Sequence, residues 1–274
     1  MRTLYISDLD GTLLRSDVTL SERTVRTVTE LTKAGELISY ATARSRTTAL
    51  KVTAGLTVPL PIVAYNGVFI VESIGGRILH KCIFSPEDAE RIYKAFISRG
   101  LSPVIYRICG RERYSYNALT ISPETRDFLN SRHGDPRDDP MQGDSGILEG
   151  EVFYFNCIGS RERLLGAYEE LKGDFEVLFY DDIYSGDRWL EIMPAGANKA
   201  SAALRLKKLL GCGRMVAFGD SVNDIPLFKA SDESYAVANA DERLKELATA
   251  VIPSNDEDGV ARKLSELCGR GALT

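Results

Sequence analysis

Leu4-Tyr5-Ile6-Ser7-Asp8-Leu9-Asp10-Gly11-Thr12-Leu13-Leu14 opens the chain with an apolar run that breaks on two carboxylates and a glycine. The run Leu4-Tyr5-Ile6 reads as a short buried strand, so Asp8 stands just past its carboxyl end. In an open α/β sheet, ligands bind at that end of the strands. A carboxylate placed there can act as a nucleophile and form an aspartyl phosphate. Asp10, two residues on, reaches the same ligand and suits work as general acid and then general base. Gly11 lets the chain turn without a Cβ clash. Taken alone, the segment reads equally well as a solvated Asp-Gly turn, because turns are rich in both residues.

The segments on either side set the fold class. A helix is predicted from Ser21 to Lys33, with Thr19 or Ser21 as its N-cap, Val25, Val28 and Leu31 at helical spacing, and Gly35 as its stop. Leu37 to Ala41 and Ile62 to Tyr65 read as the next strands. The far end of the chain repeats the style. Asn198 caps a helix from Lys199 to Leu210, Met215 to Phe218 and Tyr235 to Ala238 are strands, and Asp258 to Cys268 closes as a helix. Strands alternating with helices predict a parallel sheet covered on both faces. The middle differs, with helical segments near 86–98 and 160–171, strand-like runs at 102–108, 152–158 and 176–180, and a Gly-, Asp- and Pro-rich loop from His133 to Gly146. The expectation is an α/β chain of two parts: a discontinuous catalytic core of residues 1–81 and 189–274, and an inserted α/β domain of residues 82–188.

Composition narrows the function classes. The 274 residues carry 34 Lys and Arg against 39 Asp and Glu, a net charge of −5 that gives no general pull toward nucleic acid or anionic lipid. Five scattered Cys offer no Cys-x-x-Cys pair and fit reduced thiols, and only two His, His80 and His133, leave no His-rich zinc site. Asp8 and Asp10 interrupt the N-terminus before a signal-peptide core can form. Residues 52–71 are uncharged, but Gly55, Pro59, Pro61 and Asn66-Gly67 break them into a loop and two strands rather than a membrane span. These features predict a cytoplasmic protein with a small-molecule ligand and imply no protein partner.

A second cluster, Gly219-Asp220-Ser221-Val222-Asn223-Asp224, also follows an apolar strand. Two acidic strand ends that met in space would repel each other without a cation, and Mg2+, with its hard oxygen ligands, suits such a site. The plain alternative is a polar turn in which Ser221 or Asn223 caps the next helix. Thr42 follows the strand Leu37 to Ala41, where a hydroxyl beside a helix N-terminus can hold phosphate oxygens, though an ordinary cap explains it too. Lys199 opens a helix, against the macrodipole, and makes sense there if it pairs with an anion; alone it reads as a surface lysine. Arg44 and Arg46 either hold an anionic substrate or form a solvated helix face. Asn66-Gly67 reads as a hairpin turn. Trp189, the single Trp, reads as packing residue near the return to the core.

In order along the chain, Asp8-x-Asp10, Thr42, Lys199 and Gly219-Asp220-x-x-x-Asp224 resemble the motifs of the haloacid dehalogenase superfamily of phosphohydrolases. Asn66-Gly67, Asn239-Ala240 and Ser254-Asn255-x-x-x-Gly259-Val260 are similar to its Cof-type branch, and the resemblance spans nearly the whole chain. It implies a Rossmann-like core with a large inserted cap that selects the substrate. It also implies a Mg2+-dependent phosphatase of a small phosphorylated metabolite, with a sugar phosphate as the favoured class. On that reading Asp8 is the nucleophile and Asp10 the acid and base. Mg2+ sits on Asp8, the backbone carbonyl of Asp10, and Asp220, with Asp224 direct or through water. Thr42, Ala43 and Lys199 hold the phosphoryl oxygens, with Arg44, Asn66 and Asn223 as secondary candidates. The family usually has Gly at the position of Ala43, and a positive φ there would strain this loop. Two other functions fit the same motifs: a phosphomutase of the phosphomannomutase type, and a sugar-phosphate-binding regulatory protein with vestigial catalysis.

Overall fold

The computed structural model describes residues 2–56, 58–181 and 188–269. In chain order the elements begin with β1 (Thr3–Ser7), α1 (Glu22–Lys33), β2 (Leu37–Tyr40), α2 (Arg46–Val52), β3 (Ile62–Ala64), β4 (Phe69–Val71) and β5 (Ile78–Lys81). They continue with α3 (Pro86–Ile97), β6 (Val104–Cys109), β7 (Arg111–Asn117), α4 (Pro123–Asn130), β8 (Asp138–Met141), β9 (Glu151–Gly159), α5 (Arg161–Leu171), β10 (Glu176–Asp181) and β11 (Arg188–Met193). The last are α6 (Lys199–Leu209), β12 (Arg214–Gly219), α7 (Ile225–Ala230), β13 (Glu233–Val237), α8 (Glu242–Lys245), β14 (Ala250–Ile252) and α9 (Gly259–Leu267). They fold as two units, one of Met1–Lys81 with Asn198–Thr274 and one of Cys82–Ala197.

The discontinuous unit carries a five-stranded, all-parallel sheet in the order β14-β13-β12-β1-β2. After their first residues β1 and β12 are buried along their whole length, as parallel strands covered on both faces must be. α1 packs with α9 and α6 with α7. The caps are those the sequence predicts. Ser21 accepts from Thr24 N at the start of α1, and Asn198 forms a capping box with Ser201 at the start of α6. The Asn66-Gly67 turn joins β3 and β4, which pair antiparallel, and an isolated parallel bridge from Ala41 to Val63 links β2 to that small sheet.

The inserted unit holds a six-stranded sheet, β10-β11-β9-β6-β7-β8, antiparallel except at its β7–β8 edge. α3 and α5 cover a core that includes Phe96, Phe155, Leu164 and Leu190. This placement moves the expected return point. β11, together with Trp189, belongs to the inserted sheet, where it lies between β10 and β9. The unit therefore runs to Ala197 and not to 188. Trp189 meets Phe128 of α4 edge to face, with ring centroids 5.0 Å apart. The expected loop of residues 133–146 contains the edge strand β8, whose Pro140 is tolerated because an edge strand leaves one row of backbone groups unpaired.

Candidate active site

β1 and β12 lie side by side in register, Ser7 opposite Phe218, at the point where the strand order reverses. From β1 the chain proceeds to β2 on one side, and from β12 to β13 and β14 on the other. A crevice opens at such a point, at the carboxyl ends of the strands. Asp8 follows β1, and its backbone N donates to Phe218 O at 2.9 Å. Asp220 follows β12. The two acidic motifs, 212 positions apart, are thereby brought together.

Local geometry closes the cluster. Asp8 leads into a single turn, Leu9–Leu13, in which Asp10 is extended (ψ 127°) and Gly11 has φ 73°. A Cβ on Gly11 would lie 2.4 Å from Asp220 Oδ2, so the glycine is required by conformation and by space alike. Thr12 Oγ1 donates to Asp220 Oδ1 at 2.8 Å. Asp224 ends the turn after Asp220, and its Oδ2 accepts from Asp220 N at 3.1 Å and Ser221 N at 3.2 Å. Gly219 leaves room for that carboxylate, which a Cβ would meet at 2.6 Å. Lys199, at the start of α6 and 1 % exposed, donates to Asp8 Oδ1 at 2.8 Å and Asp224 Oδ1 at 2.7 Å. The lysine against the macrodipole is thus buried on two anions. Its Nζ also lies 3.5 Å from Asn223 Oδ1, and Asn223 Nδ2 donates to Asn66 Oδ1 at 3.4 Å.

Thr42 is fully buried. It is not the helix cap, since Ser45 caps α2 by accepting from Thr48 N. Instead its hydroxyl accepts from Arg44 N at 3.1 Å and its carbonyl from Asn66 N at 2.9 Å. Ala43 is exposed and is not among the residues of positive φ, so Ala in place of Gly brings no strain. The strain lies in the next loop, where Tyr65, Asn66 and Gly67 have φ of 51°, 53° and 109° in succession. A Cβ on Gly67 would come within 2.1 Å of Asn198 O, so this loop seats directly beneath the residue that precedes Lys199.

Arg44 and Asp10 form a contact that the sequence does not reveal. The guanidinium grips the Asp10 carboxylate through two donors. The Asp10 side chain is therefore not part of the carboxylate cluster, and Arg44 is spent on Asp10. Two asparagines singled out by resemblance also find a use. Asn239 Nδ2 donates to Gly11 O at 2.7 Å, Asn239 Oδ1 accepts from Asn255 N at 3.1 Å, and Asn255 Nδ2 donates to Leu14 O at 3.0 Å, bracing the turn after Asp8.

The electrostatics call for a cation. Burial raises Asp8 well above the usual carboxylate range, and the neighbouring acids raise it further while Lys199 opposes them. Burial, then Asp224, push Asp220 up to about 6. Burial alone would lower Lys199, but Asp224 and Asp8 outweigh it and hold the ammonium above its ordinary value. Asp8, Asp220 and Asp224 each offer an oxygen within 4.8 Å of the others. Fully ionised, three carboxylates facing one ammonium would leave two negative charges uncompensated, which is why the acids are driven up when no cation shares the site. The donor set, all oxygen, fits a hard divalent ion.

A family model described as haloacid dehalogenase-like hydrolase matches residues 5–264. Two proteins of Bacillus subtilis named 5-amino-6-(5-phospho-D-ribitylamino)uracil phosphatase, YwtE and YitU, are each 26 % identical to this chain. The first match covers 95 % of this chain and 96 % of the relative, and the second 96 % of each. Among solved structures, a haloacid dehalogenase-like hydrolase from Bacteroides thetaiotaomicron is similar in fold. It has a TM-score of 0.79 and 23 % identity over 97 % of this chain and all of that one. A protein from Thermotoga maritima has a TM-score of 0.80 and 22 % identity over 97 % of both chains. No helix of the described residues is long and apolar enough to cross a membrane.

Proposed function

We propose, on the premise that this chain belongs to the haloacid dehalogenase-like hydrolases, that it is a Mg2+-dependent phosphatase of a small phosphorylated metabolite. One observation carries the proposal. The carboxylate at the end of β1 is buried on Lys199 and grouped with Asp220 and Asp224 at the switch point of a parallel sheet. Asp8, Asp220 and the backbone carbonyl of Asp10 would hold Mg2+, with Asp224 behind them, and the ion would supply positive charge for the phosphoryl oxygens.

The chain's own residues do the rest. Asp8 attacks phosphorus, and a bond from its carboxylate oxygen to phosphorus forms as the bond to the leaving oxygen breaks. Asp10 gives that oxygen its proton and the alcohol departs. Asp10, now a carboxylate, takes a proton from the water that attacks the aspartyl phosphate, the bond from phosphorus to Asp8 breaks, and inorganic phosphate leaves. Lys199 and the hydroxyl of Thr42, with the backbone at Ala43, stabilise charge as it spreads over the phosphoryl group. Asp224 has both oxygens engaged by Lys199 and backbone N–H groups, which suits a role behind the metal ligands. The names of the two Bacillus relatives support a phosphate ester on a polyhydroxylated carbon chain, such as a sugar phosphate. To the inserted unit we assign the selection of that substrate.

Asp8→Asn tests the reading. The amide cannot attack phosphorus, and phosphate release should fall at least about a thousandfold while the circular dichroism spectrum is unchanged. A folded variant that keeps a tenth of the activity would exclude Asp8 as nucleophile.

A further inference from the structure

The ion pair between Arg44 and Asp10 is a two-point grip, with Nε on Oδ2 at 2.8 Å and Nη2 on Oδ1 at 2.5 Å. Both side chains are about a quarter exposed, at 24 % and 25 %. An ion pair with that much solvent contributes little to stability. A bidentate fork does something else: it fixes the plane of the carboxylate.

Both ends of the grip are tied into the site. Arg44 N donates to Thr42 Oγ1 at 3.1 Å, and Arg44 O accepts from Tyr65 N at 3.0 Å, so its backbone is held on both sides. Asp10 sits on the turn whose next residue, Gly11, is pressed against Asp220. A carboxylate oxygen has two acceptor sites, and the fork uses one on each. The second site on each oxygen stays available to a leaving oxygen or a water. The grip therefore sets the aim of Asp10 while leaving an acceptor site on each of its oxygens.

We infer that Arg44 is a positioning residue for Asp10, holding the carboxylate plane at the angle from which it serves the leaving oxygen and then the hydrolytic water. This deepens the proposed reaction and rests on Asp10 as its proton donor. It also reassigns Arg44, which in the sequence reads as either a holder of anionic substrate or part of a solvated helix face.

The test uses the full chain with Mg2+ and a series of aryl phosphates whose leaving groups differ in acidity. Release of the phenol in the first turnover is followed by stopped flow, which isolates formation of the aspartyl phosphate. Asp10→Asn should make this rate depend more steeply on leaving-group acidity, because only poor leaving groups need the proton. Arg44→Ala should reproduce much of that steepening, slowing the poorest ester at least about tenfold and the best one far less. Arg44→Lys should behave like Arg44→Ala, since an ammonium is a point charge without the fork. The double variant Asp10→Asn, Arg44→Ala should be as slow as Asp10→Asn alone to within about twofold. Arg44→Lys carries the test if Arg44→Ala fails to fold. An equal slowing of every ester, a rise in KM with the first-turnover rate unchanged, or multiplicative losses in the double variant would each overturn the inference and return Arg44 to phosphate binding. If Asp10→Asn itself leaves the dependence flat, the proton-donor reading fails, and the role of Arg44 falls with it.

Discussion

Replacing Asp220 by asparagine should make the metal-free protein more stable while destroying its activity. Burial and Asp224 raise the Asp220 carboxyl from 3.8 to about 6. The folded state therefore holds a proton that the unfolded chain gives up. Stability from this group is fully present below pH 3.8 and is lost as pH rises through about 6. Above that pH the ionised carboxylate opposes folding by about 3 kcal/mol, at 1.36 kcal/mol for each factor of ten. Water screens part of this at a half-buried site, so about 1–3 kcal/mol is expected. The amide of Asp220→Asn removes the charge and keeps an oxygen to accept from Thr12. In EDTA at pH 8 the variant should melt about 2–10 °C above the wild type. The two proteins should converge near pH 4 and diverge between pH 5 and 7. Saturating Mg2+ should then reverse the order, because ligand at a hundred times its Kd stabilises the wild type by about 2.7 kcal/mol and the variant has lost a ligand. The assay is thermal denaturation across pH with and without metal. A variant less stable than the wild type in EDTA at pH 8, or a difference that does not change with pH, would refute the reasoning.

Removal of metal by EDTA should abolish phosphate release, Mg2+ should restore it, and Ca2+ should restore it poorly, because Ca2+ takes six to eight ligands and relaxes the octahedral arrangement; full activity in metal-free protein would contradict the carboxylate site. Gly67→Ala should destabilise by about 2–4 kcal/mol and lower kcat. Its φ is 109° and its Cβ would strike Asn198 O, displacing the start of α6 and Lys199 with it. Denaturant titration and steady-state kinetics check both effects.

The elements that meet at the site were legible where local chemistry is loud. Asp8 and Asp220 each come shortly after an apolar run of three or four residues, and Ser21 and Asn198 cap helices by rules that need no neighbours. The pairing of β1 with β12 was implied by the motif set but not by any local pattern, because register between strands two hundred residues apart is decided by packing. The grip of Arg44 on Asp10 was hidden for the same reason. The boundary was drawn at 188, inside β11, because Arg188-Trp189-Leu190-Glu191-Ile192-Met193 has no period-two alternation to mark it as a strand, and nothing in it names the sheet it joins. β7 was missed because Arg111-Glu112-Arg113 at its start carries charge where a strand signal is sought. The use of Tyr65 in the left-handed region is invisible in sequence, since a bulky residue at positive φ runs against preference and is held there by its surroundings.

The interruption of the first unit by the second has a consequence for biosynthesis. The ribosome makes β1 and Asp8 first and supplies Lys199, Asp220 and Asp224 only in the last third of the chain. Within the parallel sheet β1 must wait for the central strand β12, whose Arg214 pairs with Thr3. The insert, Cys82–Ala197, is contiguous and complete before any of those partners emerges. Folding in the order of emergence, domain by domain, lets it form first. It then takes roughly half of the intervening chain out of the loop that the core must close, a change worth only about 0.6 kcal/mol in closure entropy. Asp8 thus spends most of its synthesis without the lysine and acids it meets in the folded chain, and a chain cut short before Asp220 lacks both acidic partners of that cluster.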